Sequence, residues 1–140
     1  MSFISSHGQV HYLNPPTLHT NPAFTQVVTT TGLVKTIYVG GQVALDRSGT
    51  IVGADDIAMQ THQVFANLQA ALAAAGAGLE HVVRWTIYIV QGQPLEPGFA
   101  VSQEIWGQRP NPPAITVLVV AGLGNPAFLV EIDAIAVVPA

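Results

Sequence analysis

The 140-residue chain has no cysteine. Disulfides, thiolate nucleophiles and cysteine-type zinc sites are therefore excluded, and a reducing, cytoplasmic location is expected. Charge is nearly as scarce: 4 Lys+Arg and 8 Asp+Glu make 9% of the residues, where a soluble domain carries about 25%. The basic residues Lys35, Arg47, Arg84 and Arg109 are far apart in sequence and the net charge is -4. No basic field is available for a phosphate backbone, so nucleic acid is not an expected partner. Long hydrophobic runs are missing too. Ile57–Leu79 lacks formal charge but contains Gln60, Thr61, His62, Gln63, Asn67 and Gln69, and Pro110–Val130 holds four prolines. Neither stretch suits a hydrocarbon core as one helix, so no membrane partner is expected. Met1–Gly8 has neither the basic region nor the apolar run of a signal peptide.

Other chemical signatures are absent as well. No Gly-x-Ser-x-Gly elbow occurs, and Gly40-Gly41 falls inside an apolar run rather than ahead of a helix, which argues against a phosphate loop. His7 and His11 are four apart, but in a segment read as extended. His19, His62 and His81 stand apart, so no metal site is expected.

What is present is apolar: 49% hydrophobic residues and a mean hydropathy of +0.43. The length fits one domain with one core. So few charges imply that part of the surface is covered in an oligomer, because interface cores are depleted in charge. Along the chain, Val10–Leu13, Phe24–Thr31 and Lys35–Leu45 read as strands, with Gly40-Gly41 marking a bulge or a close approach. Thr50–Gly53 returns briefly. Ile57, Thr61, Val64, Phe65, Leu68 and Leu72 recur at spacings of three and four, a helix opened by Asp55 and Asp56 and stopped at Gly76 and Gly78. His81–Val90 alternates as a half-buried strand, with Val83, Trp85, Ile87 and Ile89 on one face and Arg84, Thr86 and Tyr88 on the other. Pro94–Pro97 reads as loop and Phe99–Gly107 as a second helix. Ala114–Ala121 is so apolar that both its faces are expected to be covered. Phe128–Val138 closes the chain. The order β-β-β-α-β-α-β-β implies an α+β sandwich with helices on one sheet face.

In the last strand, period two puts Glu131 and Asp133 on the same face, ~6.6–6.8 Å apart along the strand, while Val130, Ile132, Ala134 and Ala136 face the core. Two readings of these acids stand side by side: a general acid/base carboxylate in a cleft or interface, or two acids on a solvated sheet face.

The segments together resemble a known family. Val130-Glu131-Ile132-Asp133-Ala134-Ile135-Ala136 is similar to the closing signature of the YjgF/YER057c/UK114, or Rid, family. Gly40-Gly41-Gln42-Val43-Ala44-Leu45 resembles its Ser-Gly-Gln strand. Gln60-Thr61 and Asn67-Leu68 fall where its long helix has Gln-Thr and Asn-Leu pairs. Ala75-Gly76 and Val82-Val83-Arg84-Trp85-Thr86 resemble the helix end and the strand after it. One domain over 1–140 is expected, 1–20 partly loop and 21–138 carrying the match, in uninterrupted order from about Pro22 to Val138. The resemblance implies a chorismate-mutase-like (YjgF-like) fold and a homotrimer with clefts between subunits.

It also implies a chemistry. In the deaminase branch a cleft water hydrolyses reactive enamines or imines, without a cofactor. An arginine pairs with the substrate carboxylate and a last-strand glutamate, here Glu131, positions or activates the water. The arginine's place falls on Ala114, or on Ile115 or Thr116 if the alignment shifts, so the arginine is missing. The family's tyrosine becomes Phe24, its serine Gly40, and an asparagine of the second helix Gln103. Arg109 lies roughly 15 Å of extended chain from Ala114, at ~3.1 Å per residue, and Arg84 corresponds to a position that is not the family's carboxylate anchor. The expected site is thus Glu131 with Phe24, Gly40, Gly41, Gln103, Ala114 and Thr116, where backbone N–H groups near Gly41 and Thr116 hold the ligand. Loss of the arginine implies a ligand other than the small 2-imino acid of the typical deaminase, in a pocket more apolar and roomier near Phe24, Gly40 and Ala114. Two functions follow: a hydrolase or deaminase of a small C=N or enamine compound lacking the usual carboxylate contact, or a non-catalytic trimeric protein binding an apolar metabolite or a protein partner. A ribonuclease role fits the acidic charge balance least.

Overall fold

A computed structural model describes residues 7–140; the expectation about a leader in the first six residues lies outside that range. The strands are β1 (Gln9–Leu13), β2 (Val27–Thr31), β3 (Val34–Gln42), β4 (Val82–Val90), β5 (Ala114–Val120) and β6 (Val130–Pro139). Helix α1 spans Ile57–Ala74, and α2 spans Glu96–Trp106. This is the element order expected from the sequence.

β1 and β2 form a separate antiparallel pair, while the main sheet has the order β3-β6-β4-β5. β6 runs antiparallel to both its neighbours, and β5 runs parallel to β4. Parallel neighbours need a crossover, which α2 supplies between β4 and β5. The alternation of β6 is realised over its first seven residues: Val130, Ile132, Ala134 and Ala136 are buried, and Glu131, Asp133 and Ile135 are partly exposed. Burial of Val64, Phe65, Leu68 and Leu72 from α1 against Trp85, Ile132 and Ala134 makes the core. Trp85 stands edge-on to Phe65 and Trp106, with centroids 5.4 and 5.8 Å away.

Several expectations are corrected. In β4, Val82 rather than Val83 is buried, because the pairing with β6 jumps from Val82 to Arg84 and the bulge changes the facing. Asp56 alone caps α1, accepting from the Met59 N–H at 3.1 Å, while Asp55 takes a left-handed φ of 59° in the preceding turn. α2 begins at Glu96, three residues before the expected start. Pro97 sits in its first turn, where proline lacks only an N–H that would be unpaired anyway. β5 is an edge strand, not a covered one: Val117, Leu118 and Val119 are 51%, 44% and 61% exposed. An apolar run signals burial without saying whether the chain itself supplies the cover.

Candidate functional site

The glycine pair on β3 is where the site starts. Pairing with β6 shifts between Val39 and Gln42, so Gly40 and Gly41 form an irregularity opposite the first half of β6. A Cβ on Gly41 would lie 2.8 Å from Glu131 Cδ and 3.1 Å from its Cγ. Glycine here lets the Glu131 side chain lie down against the β3 backbone. A Cβ on Gly40 would meet nothing within 4 Å, so that position borders open space. Among the described residues, no hydrogen-bond donor or cation of the chain engages the Glu131 carboxylate.

Two buried or half-buried amides hold the segments on either side. Gln60, fully buried, donates to Gly53 O and Ala127 O at 3.2 and 2.8 Å and accepts from Leu129 N–H at 2.9 Å. It thereby pins the approach to β6 two residues before Glu131. Asn67 donates to Val43 O and Leu45 O, both at 2.9 Å, and so fixes the chain leaving Gly41. The polar residues that break the hydrophobic pattern of α1 are thus the ones that position the acid and its glycine neighbour.

Strand register places the remaining candidates. Ala114 is level with Arg84, and Thr116 with Thr86, on β5 and β4. Thr86 is level with Asp133, and Tyr88 with Glu131, on β4 and β6. Residues level across paired strands share a face. Glu131, Asp133, Tyr88, Thr86, Arg84, Thr116 and Ala114 therefore stand together on the helix-free face. The Tyr88 hydroxyl donates to Asp133 Oδ2 at 3.1 Å. Its pKa is raised, first by that hydrogen bond and the Asp133 charge, then by slight desolvation and the Glu131 charge, with Arg84 opposing. Arg84 Nη2 donates to Thr116 Oγ1 at 2.9 Å.

Phe24 and Gln103 are not in this cluster. Thr25, buried, ties its segment to the connector before β5 through N–H···O=C of Pro113 at 3.1 Å and Oγ1–H···O=C of Pro112 at 2.5 Å. This seats Phe24 at a cavity of about 480 Å³ on the helix side of the sheet. Its walls are almost wholly apolar, with Trp85, Ile87, Ile115, Val117 and Phe99 among them. Gln103 lines a smaller cleft of about 300 Å³ with Trp106, Arg109 and Pro112. The expected site is therefore split within one chain: Gly40, Gly41, Glu131, Ala114 and Thr116 belong to the sheet face, and Phe24 and Gln103 to the helix side. Arg84, Tyr88 and Asp133 join the sheet-face group. The alternation of β4 and β6 had put each on its polar face, but only cross-strand register shows them side by side. Among the described residues, no group of three or more His, Asp or Glu side chains converges as a metal site. No helix among them is long and apolar enough to cross a membrane.

An α+β chain with an acid laid against a Gly-Gly bulge on its open sheet face defines the class. Comparison with known proteins agrees. The sequence model for endoribonuclease L-PSP matches residues 17–138. The RutC family protein slr0709 of Synechocystis is 37% identical over 107 residues, 74% of this chain and 78% of that protein. The Rid-family protein YyfB of Yersinia pestis superposes with a TM-score of 0.81 at 31% identity, over 92% of this chain and 98% of that one. A YjgF/YER057c/UK114 member from Mycobacterium tuberculosis, Rv2704, gives 0.64 at 29% identity, over 82% and 86%. The chain belongs to the YjgF/YER057c/UK114, or Rid, family.

Proposed function

We propose that the protein hydrolyses a small reactive imine or enamine, with Glu131 activating the water. The observation that carries this reading is the Glu131 carboxylate held against Gly41 with no donor among the described residues engaging it. A carboxylate so placed keeps its lone pairs for a water molecule. Water adds to the carbon of C=N as its proton passes to Glu131 and on to nitrogen, which gives a carbinolamine; an enamine first takes a proton at its β-carbon to become the imine. Glu131 then accepts the hydroxyl proton and delivers it to nitrogen as the C–N bond breaks, so the amine leaves and the carbonyl product remains. Ala114 supplies no anchor of its own for the substrate.

We further propose a homotrimer in which the exposed Val117, Leu118 and Val119 of β5 are covered by a neighbouring copy, since exposed apolar area of this kind marks interaction surfaces. Glu131→Gln tests the chemistry against a panel of imines: turnover is expected to fall by roughly 10²-fold or more, and unchanged turnover refutes the role.

The cavity of about 480 Å³ beside Phe24 favours a second reading. It lies within the size range of ligand pockets and has the apolar walls of one, which suits non-catalytic binding of an uncharged metabolite. A thermal-shift screen reads it out. Hits that survive Glu131→Gln and are lost when Phe24→Asp places a charge at the wall favour binding there. Hydrolysis without any such hit favours the catalytic reading.

A further inference from the structure

Leu95, Gly98, Phe99 and Ser102 follow one another at the three-and-four spacing of a single helix face, and all four line the cavity of about 480 Å³. A face turned to the core normally fills the space beneath it with large apolar side chains; Gly98 and Ser102 do not. Gly98 is buried, and a Cβ on it would stand 3.3 Å from Thr61 Oγ1, so glycine lets α2 approach α1 closely. Ser102 donates its hydroxyl proton to Gly98 O at 2.9 Å, and Thr61 donates its own to Ile57 O at 2.7 Å. Both wall hydroxyls are thus engaged within their own helices. Among the described residues no Lys, Arg or His lines the cavity, and its one ionisable wall residue, Glu96, is exposed. One donor of the wall is left over. Trp85 is 3% exposed, and its Nε1–H is the only buried side-chain polar atom among the described residues without a hydrogen-bond partner. Trp106, edge-on to it, donates its own indole N–H to Arg109 O at 2.8 Å. Buried polar groups are almost always paired.

We infer that this cavity takes an uncharged, apolar ring compound bearing a hydrogen-bond acceptor such as a carbonyl oxygen, and that the acceptor pairs with the Trp85 indole N–H. The inference rests on the second, binding reading of the cavity and names its ligand class. Trp85, Phe24 and Phe99 in the wall offer aromatic surfaces that suit a flat ring. A buried ion without a partner is costly, and Glu96 repels a carboxylate in particular. The acceptor follows from the indole, which can only donate. The nitrogen lies beneath the wall surface, so the indole turns slightly toward the ligand on binding. Trp85 and Ile132 alternate with Arg84 and Glu131 along their strands. The cavity therefore backs onto the opposite side of the sheet from Glu131, and its occupant touches neither charge of the helix-free face.

The test uses the full chain and three matched probes: acetylnaphthalene, with one carbonyl; isopropenylnaphthalene, in which a methylene group replaces the carbonyl oxygen; and naphthoate, a carboxylate. The two tryptophans give two indole N–H signals in a nitrogen–proton NMR spectrum, assigned with Trp106→Phe. Acetylnaphthalene is expected to bind saturably and move the Trp85 signal downfield, as a proton gaining an acceptor does. Isopropenylnaphthalene is expected to bind without that shift. Trp85→Phe should weaken the ketone roughly fivefold and leave the hydrocarbon within about twofold. Naphthoate should bind roughly tenfold more weakly than the ketone, or not at all. A downfield shift with both neutral probes or with neither, or naphthoate binding as well as the ketone, overturns the inference. Ser102→Leu, which fills the cavity from α2, separates this failure from that of the binding reading. It is expected to abolish binding of both neutral probes. If they bind the variant as they bind the wild type, or bind neither protein, the cavity is no ligand site and the binding reading falls with the inference. If Ser102→Leu displaces them while the Trp85 signal fails to distinguish them, the binding reading stands and the acceptor pairing is overturned.

Discussion

Gly41→Ala tests how finely Glu131 must be placed. The added methyl would stand 2.8 Å from Glu131 Cδ and 3.1 Å from Cγ. Carbon atoms rest at ~3.5–4.0 Å, so the carboxyl group must retreat by roughly 1 Å. The backbone does not resist, since φ of Gly41 is not in the left-handed region. The neighbour that must move is the far end of a flexible side chain. Relief from glycine's entropy cost in a strand stabilises by ~0.5–1 kcal/mol, and a displaced Glu131 rotamer costs ~0.5–1.5 kcal/mol. Stability should therefore change by about 1 kcal/mol at most, a Tm shift of a few degrees in either direction. Catalysis has no such offset. A misplacement of about 1 Å costs on the order of 10²-fold in rate, equivalent to ~2.7 kcal/mol in the barrier. Imine hydrolysis and thermal unfolding, measured on the same preparation, should diverge accordingly. Activity within twofold of wild type at an unchanged Tm would refute the claim that the Gly41 gap positions a working carboxylate.

Gln60→Ala should be costly in the opposite currency, since it strands the Gly53 and Ala127 carbonyls and the Leu129 N–H. A loss of about 3 kcal/mol is expected in urea unfolding, and a loss under 1 kcal/mol would show that water replaces the amide. Tyr88 gives a pH signature. The raised phenol pKa, caused first by Asp133, means the folded state holds that proton more tightly than the unfolded chain does. Its stabilising contribution is full below the ordinary tyrosine pKa of about 10 and is lost as pH climbs through the folded value. In an ultraviolet phenolate titration Tyr88 should ionise above the ordinary range, and Asp133→Asn should bring it back down; no movement on that substitution would mean the hydrogen bond is not made in solution.

Much of this fold is readable from periodicity. The β6 alternation separates core from open face, and the three-and-four spacing of α1 marks the residues that bury. Those signals are strong because each depends on one element's own repeat. The features that escaped depend on a second element. The bulge that turns Val82 inward arises from pairing with β6, and the early start of α2 depends on Pro97 being harmless in a first turn. The open face of β5 is invisible because an apolar strand looks alike whether its own chain or another copy covers it. The site shows the same division. Glu131 follows from sequence order and period two. The adjacency of Arg84 to Ala114 follows only from the parallel register of β4 and β5.

The scarcity of charge makes the distribution of what remains informative. Asp46 accepts from Ser48 and Thr50 N–H in a turn, Asp56 caps α1, Lys35 and Arg109 serve helix C-termini, and Asp133 holds the Tyr88 hydroxyl. Each of these contacts is local to the chain. On the helix-free face, no opposite charge among the described residues engages Arg84 or Glu131, and they lean toward opposite sides of the sheet. Register puts Arg84 one strand and four residues from Glu131, roughly 14 Å between Cα atoms. That exceeds the ~10 Å over which 0.1 M salt screens exposed charges. The two groups therefore neutralise each other little, and each keeps its hydrogen-bonding capacity on the open face.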